Sequence, residues 1–258
     1  MTVFSDMWAY LSDPANWSGS DGIAALLGQQ LLLTFTALLM AMALGLPLAL
    51  WLGHLGRGGF AAINISNIGR AVPTFALLAL LVVAPWPGTD SFGPYGRAGL
   101  ATLIALTLFA LPPIITNAYV AMREVAPDVR EAARGMGMTG RQQFWQVELP
   151  LGLPLVVSGL RLALVQVWAT ATIAALVAGP GLGQIITDGF FRSNYGKGIA
   201  GAVVVAAVAL VLELLAAMAQ RAVDPTRRTG ATATPGGGHD DALSVTGATV
   251  ESSAEPVG

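Results

Sequence analysis

The sequence lacks cysteine altogether and has few of the other residues on which most metal and catalytic sites depend. Its 258 residues include no cysteine, two histidines, His54 and His239, and a single lysine, Lys197. The absence of cysteine excludes disulfides, thiol catalysis and cysteine-ligated metals. Two distant histidines exclude a histidine-rich metal site, and Lys197 does not form the Gly-Lys-Ser/Thr ending of a phosphate-binding loop.

Charge is also scarce in this chain. Only 11% of the residues are Asp, Glu, Lys or Arg, while 54% are apolar. A soluble domain carries about 25% of these charged types. So little charge cannot cover an ordinary globular surface, so the excess apolar surface is predicted to face lipid. A helix that spans a bilayer needs about 20 apolar residues, and the chain has room for several.

Long stretches without charge predict an all-α, polytopic membrane protein. The second predicted span is the least regular, because Pro73 interrupts it and Asn64, Asn67 and Arg70 make its first half polar. In total we expect about five spanning helices, at residues 24–52, 62–84, 99–122, 153–178 and 198–220.

The two ends of the chain differ from its apolar body. The first twenty residues contain Asp6 and Asp13 but no basic residue, whereas a signal peptide begins with positive charge. Residues 1–22 are therefore predicted to be an external tail, and residues 23–222 the transmembrane domain. Residues 223–258 are predicted to be a disordered cytoplasmic tail, because their Gly, Ala, Ser and Thr cannot bury enough apolar area to offset the entropy of ordering.

Basic residues predict the orientation of the spans. Cytoplasmic loops carry an excess of Lys and Arg, so the more basic side is expected to be cytoplasmic. Five spans then place the N-terminus outside and the C-terminus in the cytoplasm. The more basic side holds Arg57, Arg123, Arg130, Arg134, Arg141, Arg221, Arg227 and Arg228, and the other side holds Arg97, Arg192 and Lys197.

The longest charged stretch, residues 123–150, is patterned as two short helices. Pro127 suits a first helical position, and Gly137 lies where the first helix is expected to end. Thr139 with Gln142 three residues later forms the signature of a capping box. The segment is therefore predicted to be a structured cytoplasmic elbow. Such an elbow, on a membrane protein with few other charged segments, suggests a docking site.

Residues of this elbow resemble the EAA loop of ABC importer permeases. The family pattern is EAA, three residues, Gly, nine residues, Ile, one residue and Leu-Pro. This sequence has the same spacing, in Glu131-Ala132-Ala133, Gly137, Val147 and Leu149-Pro150. The one departure from the pattern is the residue type at position 147, which is Val in place of Ile. The wider resemblance covers roughly residues 20–222 and is to the osmoprotectant or glycine-betaine (quaternary-amine) permeases, with a type I importer fold.

The resemblance implies that the elbow docks in a groove of a separate ATPase subunit. When two ATPase subunits close on ATP and Mg, they would move two elbows and tilt the attached spans. Glu131 would offer a charge to the partner, small side chains would allow close approach, and Gly137 would permit a tight turn. The residues implied in ATPase coupling are Asp128, Glu131, Ala132, Ala133, Arg134, Met136 and Gly137.

The same resemblance implies the other partners and the substrates. A second permease copy or a sister permease would complete the pathway, and an extracytoplasmic binding protein would select the solute. Glycine betaine, choline or carnitine fit the resemblance. Amino-acid permeases, such as those for methionine, share the five-span layout and are the alternative. The chain itself is expected to bind no cofactor and to catalyse no reaction.

Two charged residues lie inside predicted spans. Arg161 and Glu213 are each about eight residues from the cytoplasmic side, which corresponds to roughly 12 Å of depth for both. Charges within a membrane are costly and tend to pair, so an ion pair is one hypothesis. The alternative left open is that each side chain extends separately to the interface.

A pathway or gate is the functional interpretation of several further residues. These are Arg70 and Pro73 in the second span, Trp168 in the fourth, and the Arg161 and Glu213 pair. Interfacial placement of Arg70 and helix packing of Trp168 are the alternatives. His54 is interpreted as a loop residue without chemistry. The glycine-rich segment at residues 179–183 is predicted to form an external loop, either a simple turn or a gate that touches the binding protein.

Two other classes of protein fit the sequence less well. A membrane-embedded enzyme needs a nucleophile and base, or a metal cluster, and the membrane body holds one histidine and no cysteine. A secondary transporter places several ionisable groups near the membrane midplane, whereas Arg161 and Glu213 both lie toward one side. A structural membrane protein would not explain the elbow.

Overall fold

The computed structural model describes residues 3–60, 64, 69, 71–84 and 96–223, and the described part is helical throughout, which confirms the all-α prediction. The predicted tail from residue 223 lies outside this part, apart from Val223. The α-helices are α1 (Val3–Ser12), α2 (Ile23–Leu55), α3 (Thr74–Val83), α4 (Gly96–Arg123), α5 (Pro127–Gly135), α6 (Gly140–Gln143), α7 (Leu149–Ile173), α8 (Gly183–Phe191) and α9 (Tyr195–Val223).

Four helical stretches among the described residues are long and apolar enough to cross a membrane. They run from Ile23 to Leu55, Ala98 to Arg123, Gly140 to Val177 and Tyr195 to Val223, and they confirm four of the predicted spans. The second predicted span is represented by α3, whose ten residues begin directly after Pro73. At 1.5 Å per residue such a helix is about 15 Å long.

Helix α4 is the centre of the transmembrane packing, because glycines on its neighbours allow close approach. A Cβ on Gly53 of α2 would lie 2.7 Å from the Met122 Cβ atom of α4. On the opposite side, a Cβ on Gly159 of α7 would lie 2.5 Å from the Asn117 Cβ atom. Small residues at helix contacts bring backbones together where lipid removes the hydrophobic drive for association. The helices α2, α4 and α7 are thereby held as one layer.

The N-terminal residues form a packed helix. Helix α1 lies against α9, where a Cβ on Gly196 would come within 2.6 Å of the Asp6 Cβ atom. Burial raises the pKa of the Tyr10 hydroxyl in this contact, and the nearby Asp188 carboxylate adds a smaller contribution in the same direction. The predicted external tail is thus an ordered helix, because small residues of α9 let it approach.

The elbow has the two helices that its sequence predicts. Helix α5 begins at Pro127 and α6 is capped by Thr139, with both hydrogen bonds of the capping box to Gln142 present. A π-helical turn, Phe144–Glu148, then joins α6 directly to α7. Pro150 follows this turn and has no N–H to donate to the carbonyl four residues earlier, which favours a widened turn at this point.

Candidate functional site

Helix α5 presents one exposed face that carries most of the residues expected to couple with an ATPase. Asp128, Glu131, Ala132 and Arg134 are all exposed. Met136, just beyond the helix, is 72% exposed. The face therefore combines two acids, one base and an apolar side chain around a small alanine, which is a suitable composition for contact with another protein.

Ala133 differs from its neighbour Ala132, because it lies in the interior at 1% exposure. It packs toward the body of the protein rather than toward a partner. Consecutive helical residues point about 100° apart, which allows Ala132 to face outward while Ala133 faces the body of the protein. Of the pair, only Ala132 is available to let a partner approach closely.

Gly137 makes the turn between α5 and α6 in the left-handed region of backbone conformation, with φ of +79°. A Cβ at this position would meet no atom within 4 Å. The requirement for glycine is therefore conformational rather than steric, because L-residues with a side chain rarely adopt this φ. This confirms the expectation that the chain turns tightly here.

The buried side of the elbow contains a carboxylate, Glu148, that is 1% exposed. Its Oε2 atom lies 2.5 Å from His54 Nδ1, and its Oε1 atom accepts a hydrogen bond of 2.9 Å from Gln143 Nε2. The Nε atom of Arg130 lies 3.2 Å from the same Oε1 atom, which makes an ion pair. We call Glu148, His54, Gln143 and Arg130 the elbow cluster.

Arg130 and Arg134 extend the elbow cluster to neighbouring elements. The Nη2 atom of Arg130 donates a short hydrogen bond to the carbonyl of Met122, at the end of α4. Arg134 Nε donates to Gln143 Oε1 at 3.4 Å. One buried carboxylate is thus connected with α2, α4, α5 and α6.

The expectation that His54 is a loop residue is wrong. His54 lies in the last turn of α2, pairs with Glu148 and packs edge-on against Phe144 at 5.4 Å between ring centroids. Its partner is 94 residues away in sequence, so no local pattern connects them. The available signal was Glu148 itself, an acid directly before the apolar α7, where an unpaired charge is costly.

The Arg161–Glu213 ion pair is confirmed. Arg161 Nε donates to Glu213 Oε1 at 2.8 Å, and Nη2 of the same guanidinium donates a short hydrogen bond to that oxygen. Arg161 Nη1 donates to Gln220 Oε1 at 2.9 Å. Both charged side chains are 35% exposed, and they line an open groove of about 360 Å³ between α7 and α9.

Pro73 and Trp168, which were also expected along a pathway, do not line this groove. Pro73 is exposed at the start of α3, and Arg70 lies outside the described residues. Trp168 is 2% exposed, and its indole Nε1 donates to the carbonyl of Val205 at 3.2 Å. This burial between α7 and α9 favours the packing interpretation of Trp168.

A buried glutamine, Gln30, which no sequence pattern indicates, holds the glycine-rich segment at residues 179–183. Gln30 of α2 accepts a hydrogen bond of 2.9 Å from the backbone N–H of Leu182 and donates one of 3.0 Å to Thr172 Oγ1. Gly181, with φ of +125°, packs against the same side chain. The segment between α7 and α8 is therefore attached to α2.

Within the described ranges, no group of three or more His, Asp or Glu side chains is placed to hold a metal ion. Polar side chains of the described residues instead form the elbow cluster, the Arg161–Glu213 pair, a Lys197–Asp188 pair at 3.3 Å and the exposed face of the elbow. Long apolar helices with such an elbow define a multi-pass membrane protein that is built to engage another protein.

Comparison with known families agrees with this class. Residues 19–229 match the family described as binding-protein-dependent transport system inner membrane component. Because the match spans most of the chain, the protein belongs to this family of ABC importer permeases. It is a multi-pass inner-membrane transport subunit, and membership implies in general an ATPase and a substrate-binding protein as partners.

Curated relatives carry the more specific likeness. The osmoprotectant import permease protein OsmY of Salmonella typhimurium strain LT2 is 34% identical over 202 residues, covering 77% of this chain and 81% of that protein. The glycine betaine/carnitine/choline transport system permease protein OpuCB of Bacillus subtilis strain 168 is 28% identical over 198 residues, covering 77% of this chain and 87% of that protein. These homologues confirm the resemblance to the osmoprotectant permeases.

A solved structure confirms the type of fold. The chain is similar to a permease chain in the inward-facing methionine ABC transporter MetNI, with a TM-score of 0.65 and 26% sequence identity. The likeness covers 76% of this chain and 94% of that chain. The helices of this protein therefore have the arrangement of a type I importer permease.

Proposed function

We propose that this chain forms the translocation pathway of an ATP-driven importer for small compatible solutes such as glycine betaine, choline or carnitine. The observation that carries the proposal is the exposed face of α5, with Asp128, Glu131 and Ala132 on one side of an elbow that is rigidly joined to the spans. The substrate class rests on the names of the homologues, which transport osmoprotectants, choline and carnitine.

In this proposal two ATPase subunits bind ATP and Mg and move two elbows, one on each permease. The second permease is another copy of this chain or a sister subunit. Tilting of α7, which continues from the elbow without a break, would open the pathway alternately to each side. The Arg161–Glu213 pair lies where such tilting would change the groove between α7 and α9, so we propose it as part of the pathway or its gate.

The proposed orientation follows from the elbow. If the elbow meets an ATPase, it is cytoplasmic, which places the N-terminus outside and the C-terminus inside. Because the chain has no cysteine, single cysteines introduced at exposed Trp17 and Met136 can be labelled selectively. In intact cells a membrane-impermeant maleimide should modify Trp17→Cys and spare Met136→Cys, and the opposite pattern would reverse the orientation.

Co-purification tests the coupling proposal. The wild-type permease, expressed with the ATPase of its own transport system, should retain that ATPase through purification. Glu131→Ala and Gly137→Val should lose it, because one removes a charge of the docking face and the other disturbs the turn at positive φ. Glu124→Ala, a change of an exposed acid outside that face, serves as the matched control. The failure of any ATPase to associate with the wild type would overturn the proposal.

Transport by the full complex in proteoliposomes tests the substrate class. ATP-dependent uptake of radiolabelled glycine betaine, with methionine as the competing substrate, separates the two candidates. The structural likeness to a methionine transporter is the observation that favours the alternative. Uptake of methionine without uptake of glycine betaine, choline or carnitine would replace the proposed substrate class with the alternative.

A further inference from the structure

The elbow cluster lies at the junction between the docking face and the transmembrane layer. Arg130 belongs to α5, one residue before Glu131 of the exposed face. His54 belongs to α2, and the Met122 carbonyl ends α4. Glu148 stands directly before α7, and His54 of α2 and Arg130 of α5 both contact its carboxylate.

Both oxygens of the Glu148 carboxylate are engaged, and together they contact side chains of three elements. The Oε2 atom contacts His54 at 2.5 Å, while Oε1 contacts Gln143 at 2.9 Å and Arg130 at 3.2 Å. A carboxylate is acceptor-only when ionised and can serve all three groups at once. Glutamine at this position would offer one acceptor oxygen and an amide that repels the N–H groups of Arg130.

The π-helical turn explains how an acid directly before an apolar span reaches this interior position. The backbone N–H of Leu149 donates to the carbonyl of Phe144, five residues earlier. The widened turn directs Glu148 inward, at 1% exposure, while Trp145 and Gln146 stay exposed. Such turns interrupt regular helices and are frequent at functional sites.

Resting on the proposed function above, we infer that Glu148 is a positioning residue that transmits elbow movement to α2 and α4. Its contact with His54 links the docking helix to α2, and its ion pair with Arg130 holds the guanidinium that donates to the Met122 carbonyl of α4, so that these ends move together. Without these contacts, the elbow would still bind an ATPase through its exposed face and would still be joined to α4 and α7, but its displacement would no longer pass to α2 through His54. Fewer solute molecules would then be imported for each ATP hydrolysed.

The test uses the full complex of permease, ATPase and binding protein in proteoliposomes, with radiolabelled glycine betaine as the probe. The measured quantity is the number of solute molecules imported per ATP hydrolysed. For Glu148→Gln we expect the ATPase to co-purify as in the wild type and this ratio to fall by about 2- to 30-fold, the range found for mutations within coupling networks. Glu124→Gln, which removes an exposed charge from the same segment, should leave the ratio unchanged.

A second variant covers the case in which Glu148→Gln fails to assemble. His54→Leu preserves the Arg130–Glu148 ion pair and removes only the connection to α2, so the elbow should fold and the ratio should fall. Arg130→Lys, which keeps the charge but loses the hydrogen-bonding geometry, should give an intermediate ratio. A purely structural role would lower the yield of complex and leave the ratio at the wild-type value.

Failure of this inference differs from failure of the proposed function. If the wild-type complex assembles and transports, but Glu148→Gln and His54→Leu keep the wild-type ratio, the inference is overturned and the importer assignment stands. If the wild type binds no ATPase, or imports none of the proposed solutes with ATP, the proposed function fails first.

Discussion

The described part of the chain contains two arginine–glutamate clusters that differ in what surrounds them. Glu148 is 1% exposed and is engaged by side chains from three elements, whereas Arg161 and Glu213 are each 35% exposed in an open groove. Each cluster also includes a glutamine, Gln143 in the first and Gln220 in the second. The same chemical groups therefore form a buried cluster with several polar partners in one place and a solvent-accessible ion pair in the other.

This difference indicates that burial, rather than the presence of opposite charges alone, decides how much an ion pair contributes to stability and to the positions of the helices. A buried charge that loses its partner has no water to replace it, and such losses are strongly destabilising. An accessible pair loses less, because solvent or lipid headgroups can approach the remaining charge. The elbow cluster should therefore govern stability and geometry, and the groove pair should be more tolerant of change.

The largest expected effect is that of removing the cation from the buried cluster. Arg130→Ala leaves the Glu148 carboxylate buried without its guanidinium and frees the Met122 carbonyl. We expect the free energy of unfolding to fall by about 3–5 kcal/mol, measured by denaturation of the purified permease in detergent. Arg161→Ala in the same preparation should cause a smaller loss, and equal losses in the two variants would contradict the comparison.

Exchanging the two charged residues within each pair should have the next largest effect on thermal stability and should distinguish the two clusters. The exchange of Arg161 with Glu213 should recover the thermal stability lost by either single reversal, because few other groups contact this pair. The exchange of Arg130 with Glu148 should not, since the side chains of His54 and Gln143 are placed to meet a carboxylate at position 148.

Thermal unfolding of the single and double variants, monitored by fluorescence of the intrinsic tryptophans, is the measurement. Recovery at the elbow as complete as recovery in the groove would mean that the surrounding donors do not select for the carboxylate. No recovery in the groove would mean that Arg161 and Glu213 do not stabilise each other, whatever their geometry.

The two glutamines offer the smallest and most closely matched contrast. Gln143→Ala removes a buried donor from a carboxylate and should cost about 1–3 kcal/mol of unfolding free energy, as unsatisfied buried groups do. Gln220→Ala removes an acceptor from a half-exposed guanidinium and should cost less, because water can take its place. Chemical denaturation of both variants side by side would show whether burial separates them.

Much of the fold could be read from the residues themselves. Three of the four confirmed spans follow from charge-free stretches longer than 20 residues, and the last follows from residues 198–220, in which Glu213 is the one charged residue, since a spanning helix needs about 20 predominantly apolar residues. The capping box at Thr139 and the turn at Gly137 are local features, so the two short helices of the elbow were predictable. The spacing from Glu131 to Pro150 also identified the family that the later comparison confirmed.

The ion pair in the spans was partly predictable. Equal depths along two helices placed Arg161 and Glu213 at the same level, but depth alone leaves the rotation of each helix undetermined. Only the packing of α7 beside α9 turned the two side chains toward each other. The tertiary structure rules out the alternative, in which each side chain reaches the interface separately.

The sequence by itself determined that the chain spans a membrane, where its short helices begin, and which exposed elbow resembles a docking segment, because these depend on composition and on neighbours within a few residues. Only the tertiary structure decided that Ala133 faces inward, that α1 packs on α9, and that His54 meets Glu148 across 94 positions. The physical reason is that burial and ion pairing depend on which helices pack together and on how each helix is rotated. The glycines that allow this close packing act between segments that are distant in the chain.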